Sequence, residues 1–435
     1  MNYQDTLKYL YESAPMFQQI GSGAYKEGLE NTKILDEYFE HPHQQFRTIH
    51  IGGTNGKGSC SHTLAAILQS AGYRTGLYTS PHLIDFRERI RVNGKKMPEK
   101  YVTDFVEKHR SFFEPLHPSF FELTTAMAFR YFADEKIDIA IIEVGLGGRL
   151  DCTNIVTPDL SVITNISFDH IQFLGNTLAK IAFEKAGIIK PGIPVVIGET
   201  TEETRSVFAQ KAKEVEAPII FAEEEKEIRS YAITPENSIG WIYQTTKFND
   251  LQGELGGYCQ IKNTNTILHA LNQLKKNGYQ IEEKDIRNGF AQVCELTGLM
   301  GRWQKLNDSP LLICDTGHNV GGITEITRQF KLIKHKHLHI VIGMVNDKDI
   351  NGVLQLLPQN ATYYFTKASV KRALSEEDLK QKALQIGLDG NSYPTVIEAV
   401  YAVLKNSLPE DFIFVGGSSF IVADLLANRN AFDFH

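Results

Sequence analysis

Residues 48–59 read Thr-Ile-His-Ile-Gly-Gly-Thr-Asn-Gly-Lys-Gly-Ser, so a short apolar segment leads directly into a glycine-rich turn. A helical pattern follows from Ser61 to Ala71, and the three parts together predict a strand, a tight turn and a helix. Glycines let backbone N–H groups close around phosphate oxygens, and the positive end of the following helix favours an anion. The order of these elements predicts a nucleotide-binding α/β domain.

The turn departs from the common phosphate-loop pattern G-x-x-x-x-G-K-[ST], because Gly58 separates Lys57 from Ser59. The same physics applies to the altered spacing. We expect Asn55, Gly56 and Gly58 to lie against the phosphates, Lys57 to neutralise charge there, and Ser59 to reach a phosphate or a magnesium ion. The alternative is a glycine-rich loop without a ligand.

Apolar runs continue along the chain and predict two α/β domains. Those at 137–144, 160–165 and 195–197 are typical of buried strands in a parallel sheet. A Gly/Met/Arg segment at 297–302 resembles a linker, after which strand and helix patterns alternate again. We predict an N-terminal P-loop ATPase-like domain with a mainly parallel sheet at 1–296 and a smaller C-terminal Rossmann-like α/β domain at 297–435.

The composition excludes several classes of protein. A net charge of -7 gives no basic excess for nucleic-acid binding, and no run reaches the roughly 20 apolar residues of a membrane span. Five scattered cysteines predict neither a disulfide framework nor a zinc site. We therefore expect a cytoplasmic protein that contacts neither nucleic acid nor membrane.

Several segments together indicate a family. Gly-Thr-Asn-Gly-Lys-Gly-Ser resembles the phosphate loop of folylpolyglutamate synthases, which share a fold family with the Mur ligases of cell-wall synthesis. Further segments resemble that family in the same order, and they are Thr-Ser-Pro-His-Leu at 79–83, Glu-Val-Gly-Leu-Gly-Gly-Arg-Leu-Asp at 143–151, Glu-Lys-Ala-Gly at 184–187 and Gly-Arg-Trp-Gln at 301–304. The resemblance spans both predicted domains.

A magnesium site is expected near the phosphate loop. Glu143 follows a predicted strand, at the edge where open α/β sheets place ligands, and a carboxylate suits magnesium. A helix-capping or salt-bridged glutamate is the alternative. The resemblance implies that Glu143, His170 and Ser80 hold the ion, although imidazole is an unusual magnesium ligand.

The resemblance also implies roles for residues that the sequence pattern alone does not mark. Lys185 would ordinarily be a solvated helix lysine, but the family implies a catalytic, carbamylated lysine. Arg302 resembles the arginine of the second domain that reaches the ATP phosphates. Asp315 is expected at ATP and His318 in catalysis, within Asp-Thr-Gly-His-Asn at 315–319, where many relatives have Asp-Gly-Ala-His-Asn.

Two further ligand contacts, to adenine and to the pterin, are expected at residues for which another residue or another role also fits. Asn265 is a candidate for an adenine contact, with Asn263 as the alternative. Phe121, Glu122 and Asp151 resemble positions on the pterin side of bifunctional bacterial relatives, and Phe121 fits equally well as a core residue.

These expectations describe a monomeric enzyme that uses ATP and Mg²⁺. It would join L-glutamate to dihydropteroate, to a reduced folate, or to both, through an acyl phosphate that turns a poor electrophile into a good one. A Mur-type ligase is the first alternative, but Mur ligases carry an extra domain before the phosphate loop, and 52 residues precede Gly53 here. A non-catalytic ATP-binding switch is the second alternative.

Overall fold

The computed structural model describes residues 1–13, 28–234, 239–432 and 434. By its contacts the chain divides into two compact units. The first unit consists of Met1–Ser230, Tyr243–Leu251 and Ile261–Leu299, and the second of Tyr231–Ile242, Gln252–Gln260 and Met300–His435. This division differs from the predicted boundary at 296/297 in two respects, because residues 297–299 group with the first unit and two segments before that boundary group with the second unit.

The first unit is built on an eight-stranded sheet in the order β4-β3-β2-β5-β1-β6-β7-β8. The strands are β1 (Arg47–Gly52), β2 (Thr75–Tyr78), β3 (Ile90–Val92), β4 (Lys95–Lys96), β5 (Ile139–Glu143), β6 (Leu160–Ile163), β7 (Val195–Ile197) and β8 (Ile219–Phe221). The six strands from β2 to β8 in this order are parallel, and β3 and β4 are added antiparallel at one edge. The strand β1 is fully buried after Arg47, as a central strand covered on both faces requires.

Eleven α-helices lie between residues 3 and 297 in the described part of the chain. They are α1 (Tyr3–Ser13), α2 (Glu30–Tyr38), α3 (Lys57–Ser70), α4 (Glu99–Phe113), α5 (Phe120–Asp134), α6 (Ile171–Leu174), α7 (Leu178–Ala186), α8 (Glu202–Glu214), α9 (Cys259–Lys276), α10 (Glu283–Ala291) and α11 (Val293–Thr297). Helix α3 contacts β1, β2 and β5 and is covered by α10, where Gly289 allows a close approach to Ile67. Nearly every side chain of α3 is consequently buried.

A separate three-stranded sheet is formed by residues between 228 and 253. Its strands are β9 (Ile228–Ile233), β10 (Trp241–Thr245) and β11 (Leu251–Gly253), in the order β11-β10-β9. Trp241 is buried and its indole N–H donates to Gly257 O at 3.1 Å, so the segments on either side of 243–251 are held together.

The second unit contains a six-stranded sheet in the order β12-β13-β17-β14-β15-β16. The strands are β12 (Gln304–Asp308), β13 (Leu311–Cys314), β14 (Leu338–Ile342), β15 (Thr362–Thr366), β16 (Gly390–Tyr393) and β17 (Phe412–Gly416). Only β12 pairs antiparallel in this sheet. The helices are α12 (Val320–Phe330), α13 (Ile350–Leu354), α14 (Glu376–Leu384), α15 (Val396–Asn406) and α16 (Ser419–Ala427). Trp303, Phe330, Phe412 and Phe414 pack together in its core.

The predicted fold class is therefore confirmed, with mainly parallel sheets in both units. Across the described ranges, no helix has the length and apolar character needed to cross a bilayer.

Candidate active site

The phosphate loop occupies the point of the first sheet where ligands of open α/β folds bind. It follows β1, which lies between β5 and β6, so three parallel strands end around it. Gly53 (φ 136°) and Gly56 (φ 83°) adopt backbone conformations that favour glycine, and α3 begins directly after Gly56. An added Cβ would collide with Thr164 at the first position and with Asn263 at the second.

The loop is held in place by bonds to the residues that follow β6. Thr54 N–H donates to Asn165 O at 2.9 Å, and Asn55 N–H donates to Asn165 Oδ1 at 3.0 Å. Lys57 folds back over the loop, and its Nζ donates to Gly53 O and Thr54 O, each at 3.1 Å. The conformation of the phosphate loop is therefore fixed by hydrogen bonds within the protein. We expected Asn55 at the phosphates, and its backbone N–H is already bonded to Asn165.

Two of the three predicted metal ligands lie together. Glu143 is the last residue of β5 and is buried, and its Oε2 accepts the Ser80 N–H at 3.2 Å. The loop after Ser80 is fixed by Glu88, whose carboxylate accepts the N–H groups of residues 83, 84 and 85 at 2.8, 3.2 and 2.9 Å. The Ser80 segment thus has a defined place beside Glu143.

His170 lies at the start of α6 in a left-handed conformation (φ 51°), with Nε2 3.8 Å from Asp169 Oδ1. In the part of the chain that the structure describes, no three His, Cys, Asp or Glu side chains form a metal cluster. A magnesium ion held by Glu143 would take further oxygen ligands from phosphate and water, which is usual for this ion at a nucleotide, and the roles of Ser80 and His170 stay predictions.

The residues present fit a nucleoside triphosphate with magnesium. Positive-φ glycines open the backbone at the head of a 14-residue helix, Lys57 supplies a cation at the loop, and the buried Glu143 supplies an oxygen ligand. The chemistry of this donor set agrees with the predicted cofactors.

Lys185 is buried, so the ordinary interpretation of a solvated helix lysine is wrong. It lies near the end of α7 with 4% of its surface exposed, and its Nζ donates to Gly53 O at 2.8 Å. Burial lowers the pKa of Lys185 to about 7; the nearby Lys57 acts in the same direction, and Asp169 and Asp151 oppose it. The amine is therefore available in its neutral form near neutral pH, and carbamylation stays a prediction.

The three residues expected on the pterin side differ in how they are engaged. Asp151 is buried, and burial raises its pKa while hydrogen bonds from Thr153 and the Leu146 N–H oppose the rise. The Phe121 ring stacks on Tyr78 with centroids 5.8 Å apart. Glu122 is occupied in the capping box that starts α5, where its carboxylate accepts the Ser119 N–H at 2.6 Å. Its role at a ligand stays a prediction.

The candidate residues of the second unit surround the end of β13. Asp315 follows this strand and accepts the Trp303 N–H at 2.7 Å and the Gly317 N–H at 2.8 Å. Burial raises the pKa of Asp315, and the positive charge of Arg302 opposes the rise. His318 places Nδ1 3.0 Å from Thr316 O, so this nitrogen donates and Nε2 remains an acceptor in the neutral ring. Arg302, Asp315 and His318 thus form one local group.

Asn265 already uses both ends of its amide. Its Nδ2 donates to Ala222 O at 2.6 Å and its Oδ1 accepts the Glu227 N–H at 2.9 Å. The competing Asn263 is buried and lies against Gly56 of the phosphate loop. An adenine contact for Asn265 stays a prediction.

Sequence reasoning assigned no role to Asn165 or to Arg89. Asn165 holds the phosphate loop, as described above. Arg89 is 3% exposed, its Nε donates to His82 Nδ1 at 2.8 Å, and its charge interacts with Glu143. The signal was present as four charged residues interspersed with three apolar ones at 86–92. Such residues, when buried, must be paired.

Comparison with known protein families agrees with this arrangement. The chain matches the model of the Mur ligase middle domain at residues 51–264 and that of the Mur ligase glutamate ligase domain at residues 301–419. The fold and the site thus define an ATP-dependent ligase of the Mur type.

Individual relatives narrow the class. The folylpolyglutamate synthase of Lacticaseibacillus casei is 31% identical over 97% of each chain, and the dihydrofolate synthase/folylpolyglutamate synthase of Escherichia coli is 33% identical over 86% of this chain and 85% of its own. The structure of E. coli FolC in complex with DHPP and ADP superposes with a TM-score of 0.84 at 31% identity, covering 99% of this chain and 98% of that one. The chain belongs to the folylpolyglutamate synthase/dihydrofolate synthase family.

Proposed function

We propose that this enzyme uses ATP and Mg²⁺ to join L-glutamate to the carboxyl group of dihydropteroate, of a reduced folate, or of both. The observation that carries the proposal is the convergence of a phosphate loop, the buried Lys185 and the buried Glu143 at the ends of adjacent parallel strands. Relatives of this family support it, among them E. coli FolC with DHPP and ADP and a bifunctional folylpolyglutamate synthase/dihydrofolate synthase with Mn, AMPPNP and L-glutamate bound.

The chemistry explains why these residues are needed. A carboxylate is a poor electrophile, and phosphorylation of its oxygen creates a leaving group that an amine can displace. Magnesium supplies charge neutralisation between the two anions that must meet. Lys57 adds a positive charge at the loop, and the buried Glu143 carboxylate would be an oxygen ligand of the ion. The loop backbone would orient the phosphates.

We assign the acceptor side to Asp151, which follows β5, and to Phe121 of helix α5. Phe121 lies against Gly145, and a side chain at Gly145 would collide with the Phe121 ring. An aromatic ring beside a buried carboxylate suits a flat heterocycle with N–H donors. Arg302, Asp315 and His318 are assigned to nucleotide contact and catalysis from the second unit, and Ser80 and His170 to magnesium.

The test measures ADP formation with purified enzyme while each substrate is omitted in turn. We expect turnover only when ATP, Mg²⁺, L-glutamate and a pteroate or folate acceptor are all present, and mass spectrometry of the products gives the number of glutamates added. Turnover without glutamate or acceptor would indicate a nucleotide switch instead. Turnover only with a nucleotide-linked cell-wall precursor would indicate a Mur-type ligase. A monomer, expected in size-exclusion chromatography with light scattering, is part of the same proposal.

A further inference from the structure

His50 is a completely buried imidazole in the middle of β1, three residues before the phosphate loop. Its neighbours in the sheet are Ile142 of β5 and Ser161 of β6. Burial lowers the pKa of His50 to about 3, with Lys190 acting in the same direction, so the ring is neutral in the folded protein.

The hydrogen bonds around His50 fix which nitrogen carries the proton. Nε2 lies 2.8 Å from Thr153 Oγ1, and Thr153 Oγ1 lies 2.5 Å from Asp151 Oδ1. The Thr153 hydroxyl donates to Asp151 Oδ1, so its single proton points at Asp151. Thr153 must then receive its own hydrogen bond from His50, which places the ring proton on Nε2. Consistent with this, His50 Nδ1 has no hydrogen-bond partner among the described residues.

A chain of directed hydrogen bonds therefore runs from the strand of the phosphate loop to Asp151. Asp151 Oδ1 accepts both the hydroxyl and the backbone N–H of Thr153, and Oδ2 accepts the Leu146 N–H at 2.8 Å. The Gly145 backbone N–H also hydrogen-bonds to this carboxyl group. These donors together hold the carboxyl group in one orientation.

The same turn is anchored on its other side. Asn154 follows Thr153, and its Nδ2 donates to Arg149 O at 3.1 Å and to Gly187 O at 3.0 Å, at the end of the helix that carries Lys185. The turn from Asp151 to Asn154 is consequently fixed both to β1 and to α7.

We propose that His50 and Thr153 are positioning residues for the acceptor substrate. His50 sets the direction of the Thr153 hydroxyl, and that hydroxyl holds the Asp151 carboxyl group in the orientation that receives an N–H group of the acceptor's heterocycle. This inference rests on the proposed function, because it takes Asp151 to be an acceptor contact. It adds two residues that touch no substrate and yet determine how tightly the acceptor binds.

The test compares Thr153→Val, which keeps the shape and removes the hydroxyl, with Thr153→Ser, which restores it. Ser161→Ala is the matched control, because Ser161 is as buried as Thr153 and lies beside His50. This variant also loses one hydrogen bond, from Ser161 Oγ to Ile188 O at 2.8 Å, which is not part of the hydrogen-bond chain to Asp151. Binding of dihydropteroate and of tetrahydrofolate is measured by titration calorimetry in the presence of ADP and Mg²⁺, and the KM values for acceptor and ATP are measured by ADP formation.

We expect Thr153→Val to weaken acceptor binding by roughly tenfold, as the loss of a buried hydrogen bond predicts, with the KM for ATP within about twofold of the wild type. Thr153→Ser and Ser161→Ala are expected to bind the acceptor nearly as the wild type does. If Thr153→Val does not fold, the pair His50→Leu and His50→Gln replaces it, and only His50→Gln, whose amide can still donate, is expected to retain acceptor affinity.

Equal weakening in Ser161→Ala, an equal rise in the KM for ATP, or unchanged acceptor binding in the variants without the donor would overturn the positioning role. In each of these cases wild-type turnover that depends on the acceptor would leave the proposed function standing. A wild-type enzyme that binds neither dihydropteroate nor tetrahydrofolate would overturn both the positioning role and the proposed function.

Discussion

Replacement of Lys185 by methionine tests whether its buried amine becomes a carbamate. The pKa of Lys185 is lowered from 10.5 to about 7. At pH 7 about half of these amines are neutral, against about one in three thousand for a solvated lysine. The form that attacks CO₂ is therefore enriched on the order of a thousandfold. The attacking nitrogen loses a proton, and the side chain changes from a cation to an anion beside the phosphate loop.

The assay uses ¹³C-labelled bicarbonate and ¹³C NMR of the enzyme with Mg²⁺ and ADP. We expect one protein carbamate signal at pH 8, and we expect it to disappear as the pH falls through about 7, because the ammonium form cannot react. Lys185→Met is expected to abolish the signal and to lower turnover by at least about a hundredfold through lost charge stabilisation. Lys190→Met is the matched control, because burial also lowers the pKa of Lys190, whose Nζ donates to Asn154 O at 2.8 Å.

Two results would refute this reasoning. One is a wild-type enzyme without a carbamate signal at pH 8, and the other is a signal that survives in Lys185→Met. A Lys185→Arg variant with normal turnover would show that a permanent cation suffices and that no carbamate is needed.

Three further predictions concern catalysis and the loop beside Glu143. Lys57→Ala and Glu143→Ala are expected to remain folded by circular dichroism but to lose at least about a hundredfold in turnover, and near-normal turnover would remove either from the site. With ¹⁸O in the acceptor carboxylate, mass spectrometry should find the label in the released phosphate, since acyl transfer leaves that oxygen on phosphorus; Arg302→Ala should slow the release without changing the label, and unlabelled phosphate would contradict the acyl phosphate. Glu88→Gln is expected to reduce the free energy of unfolding by about 1–3 kcal/mol in urea titrations, because an amide cannot accept the three N–H bonds that the carboxylate accepts; an unchanged midpoint would contradict this.

Much of the fold could be predicted from local pattern alone. The apolar run at 195–197 became β7 with the predicted bounds, because every residue of this run is buried. By contrast, β16 (Gly390–Tyr393) reads Gly-Asn-Ser-Tyr and lies at the edge of its sheet, so no apolar run marks it. Segments 231–242 and 252–260 group with the second unit, where Ile239 packs against the core cluster that contains Trp303, and a local pattern does not contain such a distant contact.

In the site, some features depend on residues that are neighbours in the sequence, and others depend on residues far along the chain. The strand, turn and helix around Lys57 follow from neighbouring residues, and they were predicted. The burial of Lys185 depends on Gly53, which is 132 residues away in the chain, and the engagement of Asn265 depends on Ala222 and Glu227. Helical spacing alone cannot distinguish such residues from solvated ones, and the family resemblance was what selected Lys185.

The anchoring of the phosphate loop to Asn165 also affects the thermodynamics of nucleotide binding. Ordering a backbone residue costs about 1–2 kcal/mol in conformational entropy, and here Thr54 and Asn55 lose that freedom when the chain folds. A nucleotide therefore meets a loop that is already ordered, and little further entropy is lost on association. The same rigidity restricts the length of this turn, because an inserted residue would move the Asn55 N–H away from Asn165 and disorder the loop before α3.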